Sequence, residues 1–331
     1  LCKLNAMINK ENYHFLYRIA KRTVPLLHQN NRFDQVMNRE KNDNANELIG
    51  NLILSKNPFM VGRLGSVESR FLANSQLKKN IKSDISGIIK TLKGSINLYW
   101  GNDEKYLNEL CLNAGFFPNH QPSTEKFITI YNESLSNLDV LGVWNEIEYQ
   151  FENIIPKDVN LCKIRELEPW FYEKPWSAYL KNKRVLVIHP FENTIQNQFF
   201  RKNNLYKNEL IIPDFELKII KAVQTIAGQK SEFSDWYKAL DSMKEKISKT
   251  DFDIAIIGCG AYGFPLASFV KNIGKQAIHL GGVTQLLFGI KGKRWEEWKH
   301  YTELRKNEGE SWVYANEIPK DYKKVENGCY W

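Results

Sequence analysis

Three short stretches of this chain hold the residue types that could do chemistry. Gly258, Gly260 and Gly263, with Tyr262 among them, have G-x-G-x-x-G spacing inside DFDIAIIGCGAYGFPLASFVKNIGKQAIHLGG, residues 251–282. Backbone N–H groups at such a turn can approach a phosphate where the next helix begins. The turn could equally be a plain glycine turn of an α/β protein. The second stretch is RLGSVE, Arg63 to Glu68. There Arg63 could clamp a diphosphate, and Glu68 could be a general base or hold a divalent cation. Alternatively Ser66 and Glu68 only cap a helix and favour its dipole. The third is His189–Pro190 with Glu192 close by. His189 could contact phosphate, act as a base, or be a satisfied strand-end histidine.

Elements must exist to position these groups. The run 254–257 reads as an apolar strand entering the glycine turn, with Leu266, Val270 and Ile273 on one face of the helix beyond it. PFMVGRL (58–64) reads as a short strand feeding a helix that Ser66 would cap. KRVLVIHPF (183–191) is the clearest strand, followed by a helical segment, and LDVLGVW (138–144) is another buried strand. Helices are expected over 12–28, 45–55, 81–92, 103–114 and 124–136. Another over 234–249 puts Trp236, Leu240, Met243 and Ile247 on one face. Residues 30–45 read as an Asn-rich linker, and 210–226 fit strand or helix equally. Strands alternating with helices predict an α/β fold, a mostly parallel sheet covered on both faces. Ligands on such sheets bind beyond the carboxyl ends of the strands. If the strands are neighbours, the three chemistry-bearing stretches converge on one cleft.

The site beyond the glycine turn argues against a dinucleotide. NAD-binding units carry an acidic residue about 20 residues after the turn. His279 stands there, and no carboxylate follows until Glu296. His279 could instead contact ribose or base. Gly281 and Gly282 lead into a helix beginning at Thr284 and Gln285, where backbone could approach a ligand. The reading is a mononucleotide-diphosphate site. Trp170, Trp176 and Trp295 are candidates for a sugar-stacking platform, although core packing is the commoner fate of tryptophan.

Composition bounds the class. The chain has 331 residues, 43% hydrophobic and 25% charged, with a net charge of +8. This is a globular profile whose basic excess suits anionic partners. The densest runs, KKNIK (78–82) and KGKR (291–294), are short, so Lys293 and Arg294 read as surface charge and nucleic acid is not the expected partner. Five cysteines without C-x-x-C spacing indicate neither a disulfide framework nor zinc, and fit a reducing cytoplasm. Cys259 reads as a small packing residue. No apolar secretory segment is evident, and uncharged 254–270 reads as a buried strand, turn and helix rather than a membrane span. Leu1 in place of Met implies a trimmed start. The expected organisation is a helical extension and linker (1–45), the α/β domain (46–300) and an aromatic tail packed on it (301–331).

RLGSVE together with IGCGAYGFPLASFVKNIGKQAIHLGG resembles the GT-D type bacterial glycosyltransferases, a family first known as a domain of unknown function. Their N-terminal signature has the form R-x-G-D-G-E, and LDVLGVW resembles a segment between the two motifs. The likeness is closer to uncharacterised proteins of bacterial surface-polysaccharide clusters, which share HLGG-x-TQLLFGI-x-GKRW and a terminal GCYW. It covers roughly residues 55–300. It implies a Rossmann-like fold, a nucleotide-sugar donor, most commonly UDP-linked, and a growing polysaccharide, lipopolysaccharide or glycoprotein glycan as acceptor. It further implies a cytoplasmic enzyme, peripheral at the inner membrane. The donor site implied is Gly65, Ser66, the 258–263 turn, His279, Gly281, Gly282 and Gln285, with Arg63, Glu68 and His189 acting on the reaction. The family's D-x-E, tied to Mn2+ or Mg2+, falls on Ser66 and Glu68, so Glu68 alone keeps a carboxylate for a metal. The family's later aspartate is also replaced, in the region of His279–Leu280. Two other classes stay open. One is a non-catalytic glycan- or nucleotide-binding protein, favoured by Ser66. The other is another nucleotide-dependent enzyme such as a methyltransferase, whose glycine turn usually lies early in the fold with an acid after the next strand.

Overall fold

A computed structural model describes residues 32–38, 44–80, 103–296, 298, 301, 304 and 311–331. The helices expected over 12–28 and 81–92 lie outside these residues.

Seven strands make one sheet: β1 (Phe59–Gly62), β2 (Val140–Val143), β3 (Asn160–Lys163), β4 (Arg184–His189), β5 (Glu216–Lys221), β6 (Ile254–Ile257) and β7 (Gln276–His279). Their order is β3-β2-β1-β7-β6-β4-β5, and every pairing is parallel. FMVG, VLGV and IAII are wholly buried, as strands covered on both faces must be. The half-buried edge strands carry lysines, Lys163 on β3 and Lys218 and Lys221 on β5, which blunt an open edge against further pairing.

The period-two alternation of each strand sends neighbouring residues into two cores. Met60, Leu186, Ile188, Ala255 and Ile257 enter one. Phe59, Val61, Val185, Val187, Ile254, Ile256 and Ile278 enter the other. The α-helices among the described residues are α1 (Arg32–Asn38), α2 (Asn44–Ser55), α3 (Ser66–Asn80), α4 (Asp103–Glu109), α5 (Thr124–Ser136), α6 (Glu192–Phe200), α7 (Trp236–Ser248), α8 (Gly263–Asn272), α9 (Thr284–Leu287) and α10 (Lys293–Glu296). Residues from α1, α3, α4, α5, α7 and α8 fill the first core. The second is closed by α2, α6 and α9, by the aromatic 3-10 turns of 164–180, and by Trp312, Val325 and Trp331 from the C-terminal segment. The helical stripe expected on 234–249 holds, since Trp236, Leu240, Met243 and Ile247 are all buried.

Four expectations need correction. Residues 32–38, read as linker, form a helix that buries Phe33 and Val36. Ser66 is the first helical residue and not the cap, because the Gly65 carbonyl already accepts Ser69 N–H at 2.9 Å. The helix after the glycine turn ends at Asn272, which leaves Ile273 39% exposed off its buried face. The segment 103–114 changes pitch, with α4 passing into a π-helical turn over Leu110–Ala114 that Gly115 stops in a left-handed conformation. The ambiguous 210–226 contains edge strand β5.

Topology decides where a ligand could sit. The chain leaves β4 toward β5 on one side and leaves β6 toward β7 on the other, although β4 and β6 are neighbours. Such a divergence opens a crevice beyond the carboxyl ends of the strands.

Candidate functional site

A cavity of about 720 Å3 occupies that crevice. Residues just beyond the carboxyl end of every strand line it: Arg63 after β1, Trp144 after β2, Ile164–Glu168 after β3, His189 on β4, Val223–Ile226 after β5, Gly258–Tyr262 after β6, and His279 with Gly281–Val283 at β7. The RLGSVE stretch, His189 and the glycine turn therefore do meet, because β1, β7, β6 and β4 are consecutive in the sheet. Gly65, Ser66, Glu68, Gly260, Tyr262 and Gln285 also line the cavity, whereas Gly263 and Glu192 do not.

Arg63 is held from three sides. Its guanidinium lies over the Trp144 ring at 5.3 Å, and its Nη2 donates to the Leu64 carbonyl at 3.3 Å. The Trp144 indole donates to that same carbonyl at 3.0 Å. Gly281, with φ +65°, passes so close that a Cβ there would stand 3.2 Å from Arg63 Nη1. Among the described residues no carboxylate forms a salt bridge with Arg63, and its Nε is buried without a hydrogen-bond partner. A cation fixed in a cavity wall without a counter-ion favours an anionic occupant.

Carboxyls surround it at longer range. Glu68, in the first turn of α3, folds back so that its carboxylate fills the space a Gly65 side chain would take. Burial raises its pKa, while its own backbone N–H, Arg63 and Arg70 pull the other way. Glu168, buried in the cavity wall, accepts from Tyr301 Oη at 2.8 and 2.9 Å. Burial pushes it up to about 7 against the opposing pull of Tyr301 and the neighbouring arginines. Glu148 lies behind the cavity and accepts the backbone N–H groups of Trp144 and Asn145, so it anchors the ring under Arg63. Burial lifts it to about 7 as well.

Both histidines are neutral. Burial lowers His189 to about 3, and its Nδ1 accepts Phe191 N–H at 3.1 Å, leaving Nε2 to carry the proton. It can donate a hydrogen bond in the cavity but is a weak base. His279 is also lowered to about 3, by burial and then by the Arg63 charge. Its Nδ1 lies 3.0 Å from the Arg63 carbonyl, an acceptor only, so Nδ1 is the protonated nitrogen.

Several site residues turn out to serve the protein's own packing. A Cβ on Gly258 would strike the Gly281 carbonyl and Thr284; on Gly260, the Ala114 carbonyl; on Gly263, His279 Nε2; on Gly282, the Tyr330 ring. Each glycine is therefore required by a neighbour in the fold, and Gly263 serves helix-to-strand packing alone. The Gln285 amide donates to the carbonyls of Ile290, Lys291 and Tyr330, which commits it to holding the C-terminal segment. Trp170 and Trp176 are core residues outside the cavity lining, whereas Trp295 lines it.

Sequence reasoning missed several wall residues. Arg294, read as surface charge, lines the cavity, pairs with Glu326 and lies 4.9 Å from the Tyr330 ring centre. Trp144, Arg165 and Glu168 also line it. The carboxyl end of LDVLGVW pointed to Trp144, but β3 was too short and polar to be read as a strand. Among the described residues no three His, Cys, Asp or Glu side chains group as a metal site. Ser66 supplies no carboxylate, and Glu68, the one carboxylate of that pair, is folded over Gly65. No described helix is long and apolar enough to cross a membrane. Comparison with protein-family models, curated proteins and solved structures found no match.

Proposed function

We propose that this chain is a glycosyltransferase of the GT-D type. It would move a sugar from a nucleotide-sugar donor, UDP-linked by the resemblance, onto a growing surface polysaccharide, lipopolysaccharide or glycoprotein glycan. The observation that carries the reading is Arg63, a guanidinium with no salt bridge among the described residues, in a cavity at the carboxyl ends of all seven strands. A departing diphosphate is the anion such a group would neutralise, the electrostatic task that most helps glycosyl transfer. The cavity volume suits a ligand of nucleotide-sugar size. Its aromatic walls, Trp144, Trp295 and Trp298 among them, suit bases and sugar faces. Glu68 is the single carboxylate of the motif that could meet Mn2+ or Mg2+, and no step is routed through either. Glu68 is then an acceptor-binding or proton-handling group. The net charge of +8 suits work at the cytoplasmic face of a membrane, where lipid-linked acceptors lie.

A second reading, a binding protein without turnover, is favoured by Ser66 and by the burial that disfavours ionised Glu68 and Glu168. Thermal stabilisation by UDP, GDP, CMP, NAD and S-adenosylmethionine, each with and without manganese, tests the proposal, since a ligand of the folded state must raise the melting point. A shift with one nucleoside diphosphate or with CMP, followed by turnover of its sugar conjugate, is the expected result. A shift confined to NAD or S-adenosylmethionine overturns it. Binding without hydrolysis or transfer of any sugar conjugate selects the second reading.

A further inference from the structure

The cavity wall opposite in character to Arg63 is uncharged. It is built from the π-helical turn Leu110–Ala114 and from the bend that follows β5, residues 223–228. Both hold uncommon backbone conformations. The π turn ends at Gly115 with φ +82°, and the bend contains Ala227 at φ +57°, a left-handed residue that is not glycine. The two are bolted together, with Thr225 Oγ1 donating to the Gly115 carbonyl at 2.5 Å. Strained backbone and π turns persist where the surrounding structure fixes them, and they concentrate at ligand sites.

Two amides stand on this wall and bond to no other described residue. Asn113 lies on the π turn, and its Oδ1 is buried without a partner. Gln224 lies on the bend, half-buried and likewise lining the cavity. A buried amide atom left unpaired costs about 1–3 kcal/mol, which a ligand that pairs it would recover. The broad terminal torsion of Asn lets either end of the amide turn to the cavity. Around them Gly115, Val223, Thr225 and Ile226 add no charge. Such a wall offers a phosphate donors without charge, whereas a neutral group carrying both donors and acceptors can use both ends of each amide.

We infer that the wall formed by the π turn and the 223–228 bend is a recognition subsite for the neutral, hydrogen-bonding part of the ligand, with Asn113 and Gln224 as its specificity-determining side chains. The inference rests on the nucleotide-sugar reading and deepens it. The phosphates lie by Arg63, and the base or the sugar lies between the two amides.

Isosteric replacements separate this role from a structural one. Asn113→Leu and Gln224→Met keep the approximate shape and remove the amide donors and acceptors, and neither side chain gives up a hydrogen bond to another described residue. Affinities of wild type and variants are measured for inorganic pyrophosphate, UDP and UDP-glucose. Each variant is expected to weaken UDP or UDP-glucose about tenfold, to leave pyrophosphate unchanged, and to keep or raise the melting point. Weakening of both nucleotides assigns the base to the wall, and weakening of UDP-glucose alone assigns the sugar. If the wild type binds UDP and the variants bind all three probes like the wild type, the subsite is overturned while the transferase reading stands. If the wild type binds none of the three, the UDP-linked donor is overturned, and if GDP and CMP also leave the melting point unmoved, the transferase reading and the subsite both fall. A melting point several degrees lower, with all three affinities lost together, makes the amides structural and also overturns the subsite.

Discussion

His279 donates its Nδ1–H to the backbone carbonyl of Arg63 at 3.0 Å, while its Nε2 side packs against Gly263 where no Cβ fits. One imidazole thereby ties the end of β7, the turn after β1 and the first residue of α8. This explains why the histidine at the position expected for a ribose-binding acid is neutral and buried. Its work is to position Arg63, not to meet a ligand as a charge. His279→Ala should leave the Arg63 side-chain contacts to Trp144 and the Leu64 carbonyl intact while freeing its backbone carbonyl. Affinity for UDP is expected to fall about tenfold, with a stability loss of about 1–3 kcal/mol from the orphaned carbonyl and the void. Unchanged affinity would remove the positioning role.

Arg63 itself is the sharper test. Arg63→Ala breaks no salt bridge among the described residues, so the protein loses the stacking on Trp144, about 0.5–1 kcal/mol, together with the bond to the Leu64 carbonyl and a charge that favours the ionised forms of Glu68, Glu148 and Glu168. Affinity for UDP and for pyrophosphate should fall by 10-fold or more, about 1.5–3 kcal/mol for a charge-assisted bond. Arg63→Lys keeps the charge but not the flat fork, and should recover only part of the loss. A large drop in melting point with unaltered affinity would mark Arg63 as structural.

Gly65 controls Glu68. A methyl group at Gly65 would occupy the volume held by the Glu68 carboxylate, the far end of a side chain that can move. Gly65→Ala should therefore fold, with a melting point close to wild type, and yet mimic Glu68→Ala in sugar transfer. The double variant should be no worse than either alone, because both changes empty the same place. Additive losses in the double variant would separate the two residues.

Much of this arrangement is legible in the sequence. Apolar runs at 59–62, 140–143, 184–189 and 254–257 need no partner to be read as buried strands, and the glycine turn gives the direction of one βαβ unit. What the sequence hides is set by neighbours. Strands β3 and β5 are edge strands with one wet side, so their periodicity is weak. The glycines of 258–263 read as a phosphate cradle, and the structure adds a second demand on two of them, since the carbonyls of Gly281 and Ala114 fill the space a side chain at Gly258 or Gly260 would need. Arg294 looks like surface charge because Tyr330 and Glu326, which draw it into the wall, lie more than 30 residues away. Asn113 carries no motif at all, and its place is known only once the π turn meets the β5 bend.

The C-terminal segment is bound to the site by a cap supplied from afar. The Glu317 carboxylate accepts Thr194 N–H at 3.0 Å and also the Thr194 hydroxyl, at the first turn of α6, and the Glu317 carbonyl accepts the Trp331 indole at 2.9 Å. A helix N-terminus beside His189 is thus already filled by a carboxylate and is not open to a phosphate. Glu317→Ala should cost about 1–2 kcal/mol, the usual worth of an N-terminal cap. It should also speed hydrogen exchange in 311–331, which line the cavity through Tyr330 and Trp331. Exchange unchanged in that segment would show that other contacts hold it.

Glu168 and His189 make the stability depend on pH in opposite senses. Burial raises Glu168 from 4.5 to about 7, so the folded state binds this proton more tightly than the unfolded chain. Its contribution is fully present below about pH 4.5 and is lost as pH rises toward 7. Burial lowers His189 from 6.5 to about 3, so its contribution is present above pH 6.5 and is lost as pH falls toward 3. Between pH 4.5 and 6.5 the two slopes oppose each other, with Glu148 acting in the sense of Glu168 and His279 in that of His189, so each group is read from the difference between wild type and its own variant. Relative to wild type, Glu168→Gln should gain stability as pH rises through that window, by on the order of 2–3 kcal/mol in full. His189→Asn, whose side-chain oxygen can still accept the Phe191 N–H, should gain relative stability as pH falls through it. Denaturant midpoints measured at half-unit steps from pH 4.5 to 7.5 read both slopes. A wild-type-minus-variant difference that stays constant with pH would show that the replaced group titrates alike folded and unfolded, and would end its assignment as a buried neutral member of the cavity wall.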